Sequence, residues 1–124
     1  RYSAGREKAT RCELRCPDPS ANPYLAFAVM LKAGLQGIKE KLEPPAPVED
    51  DVYEFNAAER KKHDIEILPG SLGEAIANME QGTIVKEALG KHAFEQYLRN
   101  KNAEWDSYRT AVSDWEIERY LEIL

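Results

Sequence analysis

Between residues 10 and 31 the hydrophobic period changes from two to that of a helix across a run of prolines, and this change orders everything that follows. Thr10-Arg11-Cys12-Glu13-Leu14-Arg15-Cys16 alternates polar and apolar positions, the pattern of a half-buried strand. Pro17-Asp18-Pro19-Ser20 should end that strand, because neither proline can donate to a ladder. Asn22 followed by Pro23 reads as an N-cap with proline at the first helical position. Every residue from Tyr24 to Leu31 is apolar, and Phe27, Leu31, Leu35, Ile38 and Leu42 continue a stripe at helical spacing. Lys32, Gln36, Lys39 and Glu40 enter only in the second half, so the helix is expected to be buried on all sides at its start and on one side thereafter. Gly34 and Gly37 cost about 1 kcal/mol each relative to alanine in a helix interior, which predicts close packing against another element.

The stretch from Glu43 to Asp51 holds three prolines and an acidic end, a stiff connector too short to separate domains. Asn56 can cap a helix over Ala57 to Lys62, Leu68-Pro69-Gly70 reads as a turn, and Ser71-Leu72-Gly73-Glu74 has capping-box spacing ahead of Ala75, Ile76 and Met79. Thr83 is placed to start a short helix that ends at Gly90. Phe94, Leu98, Trp105, Tyr108 and Val112 then share a face, with Lys101 interrupting the row, which predicts a core-packing helix. Ser113-Asp114-Trp115-Glu116 repeats the capping-box pattern and opens a C-terminal helix carrying Ile117, Tyr120, Leu121 and Leu124.

At 124 residues the chain has the length of one domain, and no apolar run approaches the roughly 20 residues of a membrane-spanning helix, so no membrane partner is expected. It opens on Arg1 with neither an initiating methionine nor a signal peptide, and the expectation is a piece of a longer protein. Cys12 and Cys16 are too few and too close to staple a secreted scaffold, so reduced thiols and a cytoplasmic location are the default. The net charge of −5 hides a segregation: residues 1 to 16 carry +3, through Arg1, Arg6, Lys8, Arg11 and Arg15 against Glu7 and Glu13, leaving −8 for the rest. The acidic total and the lack of a wider basic stripe argue against a nucleic-acid partner and favour a small anionic ligand at the basic end; a solvated charged tail is the alternative.

On a strand Arg11, Glu13 and Arg15 would line one face about 6.6 Å apart. Such charges can simply keep an exposed edge soluble. Set directly before a fully apolar helix, they suggest instead a site for an anion and a metal, in which one carboxylate supplies a hard oxygen ligand and the two guanidinium forks bind carboxylate or phosphate oxygens. His63 and His92 are isolated from other metal-ligating residues and read as surface histidines.

Residues 11 to 27, Arg-Cys-Glu-Leu-Arg-Cys-Pro-Asp-Pro-Ser-Ala-Asn-Pro-Tyr-Leu-Ala-Phe, resemble the C-terminal signature of bacterial-type (type I) glutamine synthetases. The resemblance extends through Ala33 to Leu42, Leu68 to Ala75 and Glu104 to Arg109, and so over essentially the whole chain. It implies a two-step ligation: ATP phosphorylates the side-chain carboxylate of glutamate to a γ-glutamyl phosphate, and ammonia then displaces phosphate to give glutamine. It implies two divalent cations, Mg or Mn, that hold the phosphates. By position Glu13 matches a metal-ligating glutamate, Arg15 a catalytic arginine that binds the glutamate substrate, and Arg11 an arginine on the ATP phosphates.

The family's remaining metal ligands and ammonium-site loop belong to sequence upstream of residue 1, so the 124 residues alone are expected to be inactive. Tyr53 falls where adenylylated members carry their modified tyrosine, but its setting, Asp-Val-Tyr-Glu-Phe-Asn-Ala-Ala-Glu, departs from theirs and points to the subclass without that modification. The expected fold class is α+β and mostly helical. Residues 1–16 would form the last strand segment of the glutamine synthetase catalytic barrel, and residues 17–124 a helical C-terminal subdomain. The expected assembly is a homo-oligomer, a dodecamer of two hexameric rings joined through the hydrophobic C-terminal segment. The competing reading is a stand-alone, non-catalytic helical interaction module derived from this fold.

Overall fold

The computed structural model describes residues 13–123. Their regular structure consists of helices: α1 (Pro23–Glu40), α2 (Ala57–Lys62), α3 (Leu72–Gln81), α4 (Ile84–Arg109) and α5 (Asp114–Tyr120). Among the described residues there is no strand. Residues 13–16, the described part of the segment expected as the last barrel strand, are irregular, and residues 10–12 lie outside the described range. A strand exists only through its ladder partners, and none of the described residues offers a neighbouring strand to pair with. No helix among the described residues is long and apolar enough to cross a membrane.

The chain divides into two compact units, one ending at Leu68 and the other running Pro69–Leu124. In the first, Ser20 donates from both its backbone N–H and its hydroxyl to Asp18 Oδ1 at 2.7 and 2.5 Å, and Ala21 N–H donates to the Asp18 carbonyl at 2.9 Å. This turn delivers the chain to α1, where Asn22 Oδ1 accepts from the backbone N–H groups of Tyr24 and Leu25 and Pro23 stands in the first turn. Helix α1 ends at Lys41, whose left-handed φ of 54° turns its N–H back to the last carbonyls. Asn56 and Glu59 close a reciprocal capping box around α2.

The burial expected for α1 is not found. It holds no fully buried residue, and Phe27, Leu31, Leu35, Ile38 and Leu42 are 57–76% exposed. The unit pairs α1 with one other helix of six residues and therefore lacks a surface broad enough to cover the stripe. The close packing expected at Gly34 and Gly37 is likewise missing: a Cβ on Gly34 would meet nothing within 4 Å, and one on Gly37 only Leu42 Cδ1 at 3.9 Å.

The second unit has a small core on α3 and α4, the helix pair that packs together, with Ile76 and Phe94 each 6% exposed. Ser71 caps α3 by accepting from Glu74 N–H, while the Glu74 carboxylate accepts from Gly70 N–H instead of completing the box on Ser71. Gly90 breaks α4 into two helical stretches with φ 75° and ψ 162°, a conformation open in practice to glycine alone, so a short helix and a long one meet there as the sequence suggests. The expected apolar face of α4 is only partly buried. Phe94 is in the core and Leu98 and Trp105 are half-buried, but Tyr108 is exposed and Val112 lies beyond the helix end. A reciprocal box of Ser113 and Glu116 opens α5, which packs against neither α3 nor α4.

Candidate functional site

Glu13 and Arg15 are brought together just ahead of the turn into α1. Arg15 Nη2 donates to Glu13 Oε2 at 2.7 Å. Residues two apart on extended backbone present side chains to the same side, so the contact follows from local geometry without a ladder partner. The arginine side chain is 73% exposed and the glutamate 28%. The hydrogen bond to Glu13, and next its negative charge, raise the Arg15 pKa above its ordinary value; slight burial opposes this and Tyr53 adds a smaller increase. The loop carrying Tyr53, 38 positions onward in sequence, thus lies within electrostatic reach of Arg15. Sequence reasoning noticed Tyr53 only as a modification position, because an influence across this separation has no local pattern.

Arg11, the third residue of the predicted face, lies outside the described residues, as does Cys12; Cys16 is an exposed free thiol. Among the described residues no group of three or more His, Cys, Asp or Glu side chains could hold a metal ion. Glu13 alone is therefore not a metal site among the described residues. Its two carboxylate oxygens are hard donors of the type that divalent cations take. An ion pair whose arginine is this exposed contributes little to folding.

His63 faces Phe55 with ring centroids 5.3 Å apart, and Arg60 donates to the Phe55 carbonyl, so this histidine helps to close the α2 turn. His92 is exposed on α4. In the second unit Gly70, Ser71, Leu72, Trp105 and Tyr108 line an open, mainly apolar groove of about 860 Å³. Sequence reading missed this groove because it brings the start of α3 beside Trp105 and Tyr108, more than 30 positions away on α4.

Glu13 and Arg15 thus form a carboxylate–guanidinium pair just ahead of a capped apolar helix. Over residues 1–120 the chain matches the family described as glutamine synthetase, catalytic domain, and it belongs to that family. It is 51% identical over 123 residues to a glutamine synthetase of Methanococcus maripaludis, covering 99% of this chain and 28% of that relative. It is 49% identical over 121 residues to a glutamine synthetase of Thermus thermophilus, covering 98% and 27%. A solved structure titled "Apo GmaS without ligand" superposes with a TM-score of 0.73 at 34% identity, covering 87% of this chain and 24% of that one. The chain thus spans little more than a quarter of the relatives it matches.

Proposed function

We propose that the chain is the C-terminal part of the catalytic domain of a type I glutamine synthetase of the non-adenylylated subclass, which makes glutamine from glutamate, ammonia and ATP in the cytoplasm. The observation that carries the proposal is the match over residues 1–120, and it is supported by the pairing of Glu13 and Arg15, to which the resemblance gives metal and substrate roles. In this reading Arg15 binds the substrate carboxylate. Its planar fork presents parallel N–H donors, and a guanidinium is charged throughout the working range. Arg11 contacts the ATP phosphates. Glu13 is one ligand to a divalent cation, Mg or Mn, and when bound such cations supply charge stabilisation to a phosphoryl transfer.

One carboxylate and two arginines cannot preorganise ATP, glutamate and the cations together, so the 124 residues alone lack activity and the full-length protein has it. The hydrophobic residues after Ser113 join two hexameric rings into a dodecamer. Purified full-length protein is assayed for ATP-dependent glutamine formation in parallel with the 124-residue chain. Activity confined to the full-length protein is expected. Activity in the short chain would refute the partial-site reading, and a natural product of only this length would favour a stand-alone interaction module.

A further inference from the structure

The connector that leaves α1 carries Pro44, Pro45 and Pro47 within four positions. Each proline ring fixes its own φ at about −65°, and each residue ahead of a proline, here Glu43, Pro44 and Ala46, is kept out of the helical region. The covalent chain therefore holds residues 43–47 close to a polyproline II helix before any contact is made. Such a helix has no internal hydrogen bonds. Residues 43–49 accordingly have no regular structure, and none of residues 43–50 makes a backbone–backbone hydrogen bond among the described residues.

A polyproline II helix turns once in three residues and rises about 3.1 Å with each, so Pro44 and Pro47 stand on one edge about 9 Å apart. Each closes a residue–proline pair, Glu43-Pro44 and Ala46-Pro47. Residues 44–48 are an unbroken apolar run, yet residues 43–47 are exposed and Val48 is only half-buried. A spacer obtains its stiffness from the rings alone and has no use for an apolar edge in water. A ligand for an aromatic-lined groove needs that edge, because the prolines pack on the flat rings of the groove, and a shape set in advance loses little entropy on binding.

Charge decides which grooves fit. Residues 43–51 carry four acids, Glu43, Glu49, Asp50 and Asp51, and no base. Asp51 is engaged in a local turn, its Oδ1 accepting from the Tyr53 N–H at 3.1 Å. Among the described residues no ion pair engages Glu43, Glu49 or Asp50.

We propose that residues 43–48 are a polyproline II ligand for a protein domain whose aromatic-lined groove is rimmed by lysine and arginine side chains. The groove takes the edge of Pro44 and Pro47, and the basic rim faces Glu49 and Asp50, which steer the encounter. The proposal concerns this segment alone and stands whether or not the whole protein forms glutamine.

Purified, fluorescently labelled proline-recognition domains with aromatic-lined grooves serve as probes, one set with basic rims and one with acidic rims. Full-length protein containing this chain is titrated into each while anisotropy is read. The basic-rimmed domains should bind roughly tenfold or more tighter than the acidic-rimmed ones. Pro44→Ala combined with Pro47→Ala should weaken that binding roughly tenfold or more. Glu49→Gln combined with Asp50→Asn should lower the association rate and its dependence on salt. A synthetic peptide of residues 41–51 should displace the full-length protein, a result that can be read even if the double proline variant fails to fold. Binding to none of the domains, or binding that the proline substitutions or the peptide leave unchanged, overturns the ligand and makes the segment a spacer only. Equal binding to both rim types overturns the basic partner.

Discussion

Gly73 is where the second unit tolerates least change. It stands second in α3, and an added Cβ would come within 2.7 Å of Trp105 Cε2, 2.8 Å of Nε1 and 2.9 Å of Cζ2. Comfortable contacts between carbon atoms lie at about 3.5–4.0 Å, so Gly73→Ala must displace either the indole or the first turn of α3. The indole is rigid and has the Tyr108 ring as a neighbour, its centroid 5.9 Å away. Overpacking of this kind costs about 1–3 kcal/mol, and alanine returns up to about 1 kcal/mol through helix propensity. A net destabilisation of about 1–2 kcal/mol lowers the melting temperature of a unit this small by roughly 5–10 °C. Thermal unfolding is followed by far-ultraviolet circular dichroism, which reads variants with and without Trp105 alike. Combining Gly73→Ala with Trp105→Leu should recover most of the loss due to crowding, a coupling read as a double-mutant cycle. An unchanged or raised melting temperature for Gly73→Ala would show that the glycine and the indole do not meet.

In the full-length enzyme Glu13→Gln keeps the shape and removes a charged oxygen ligand, so activity should require more divalent cation; a metal titration superimposable on the wild type would remove Glu13 from the ligand set. Arg15→Lys keeps the charge but loses the fork, so glutamate use should weaken roughly tenfold or more, and an unchanged glutamate dependence would place Arg15 away from the substrate. Deleting residues 114–124 should separate rings while leaving hexamers, as seen by native mass spectrometry, and a persisting dodecamer would show that the segment packs within its own subunit. The Glu116 carboxyl is held below its ordinary 4.5 by hydrogen bonds from the Ser113 backbone and hydroxyl. Its contribution to α5 is therefore complete above that value and lost as pH falls through the lowered one, and Glu116→Gln should flatten the acid-induced loss of α5 helicity measured by circular dichroism.

The helix starts were legible because they depend on short-range chemistry. Asn22 with Pro23, Asn56 with Glu59, Ser71 with the Glu74 N–H, and Ser113 with Glu116 all bond within four residues, and such bonds form wherever the backbone turns. Gly90 was legible for the same reason, since a positive φ is a local demand. The meeting of Glu13 and Arg15 also follows from their separation of two. Tertiary structure decided what these elements face. Alternation over residues 10–16 shows which side chains share a side but supplies no ladder partner, and residues 13–16 are irregular. The apolar run of α1 shows that something must cover it, yet covering takes an opposing surface, and a unit with one further short helix has none to offer. The α5 side chains are exposed because neither α3 nor α4 packs against them, and the space beside Gly73 is set by an indole 32 positions away. Local hydrogen bonds and backbone preferences are written residue by residue, whereas burial belongs to pairs of surfaces, and a sequence displays only its own side of each pair.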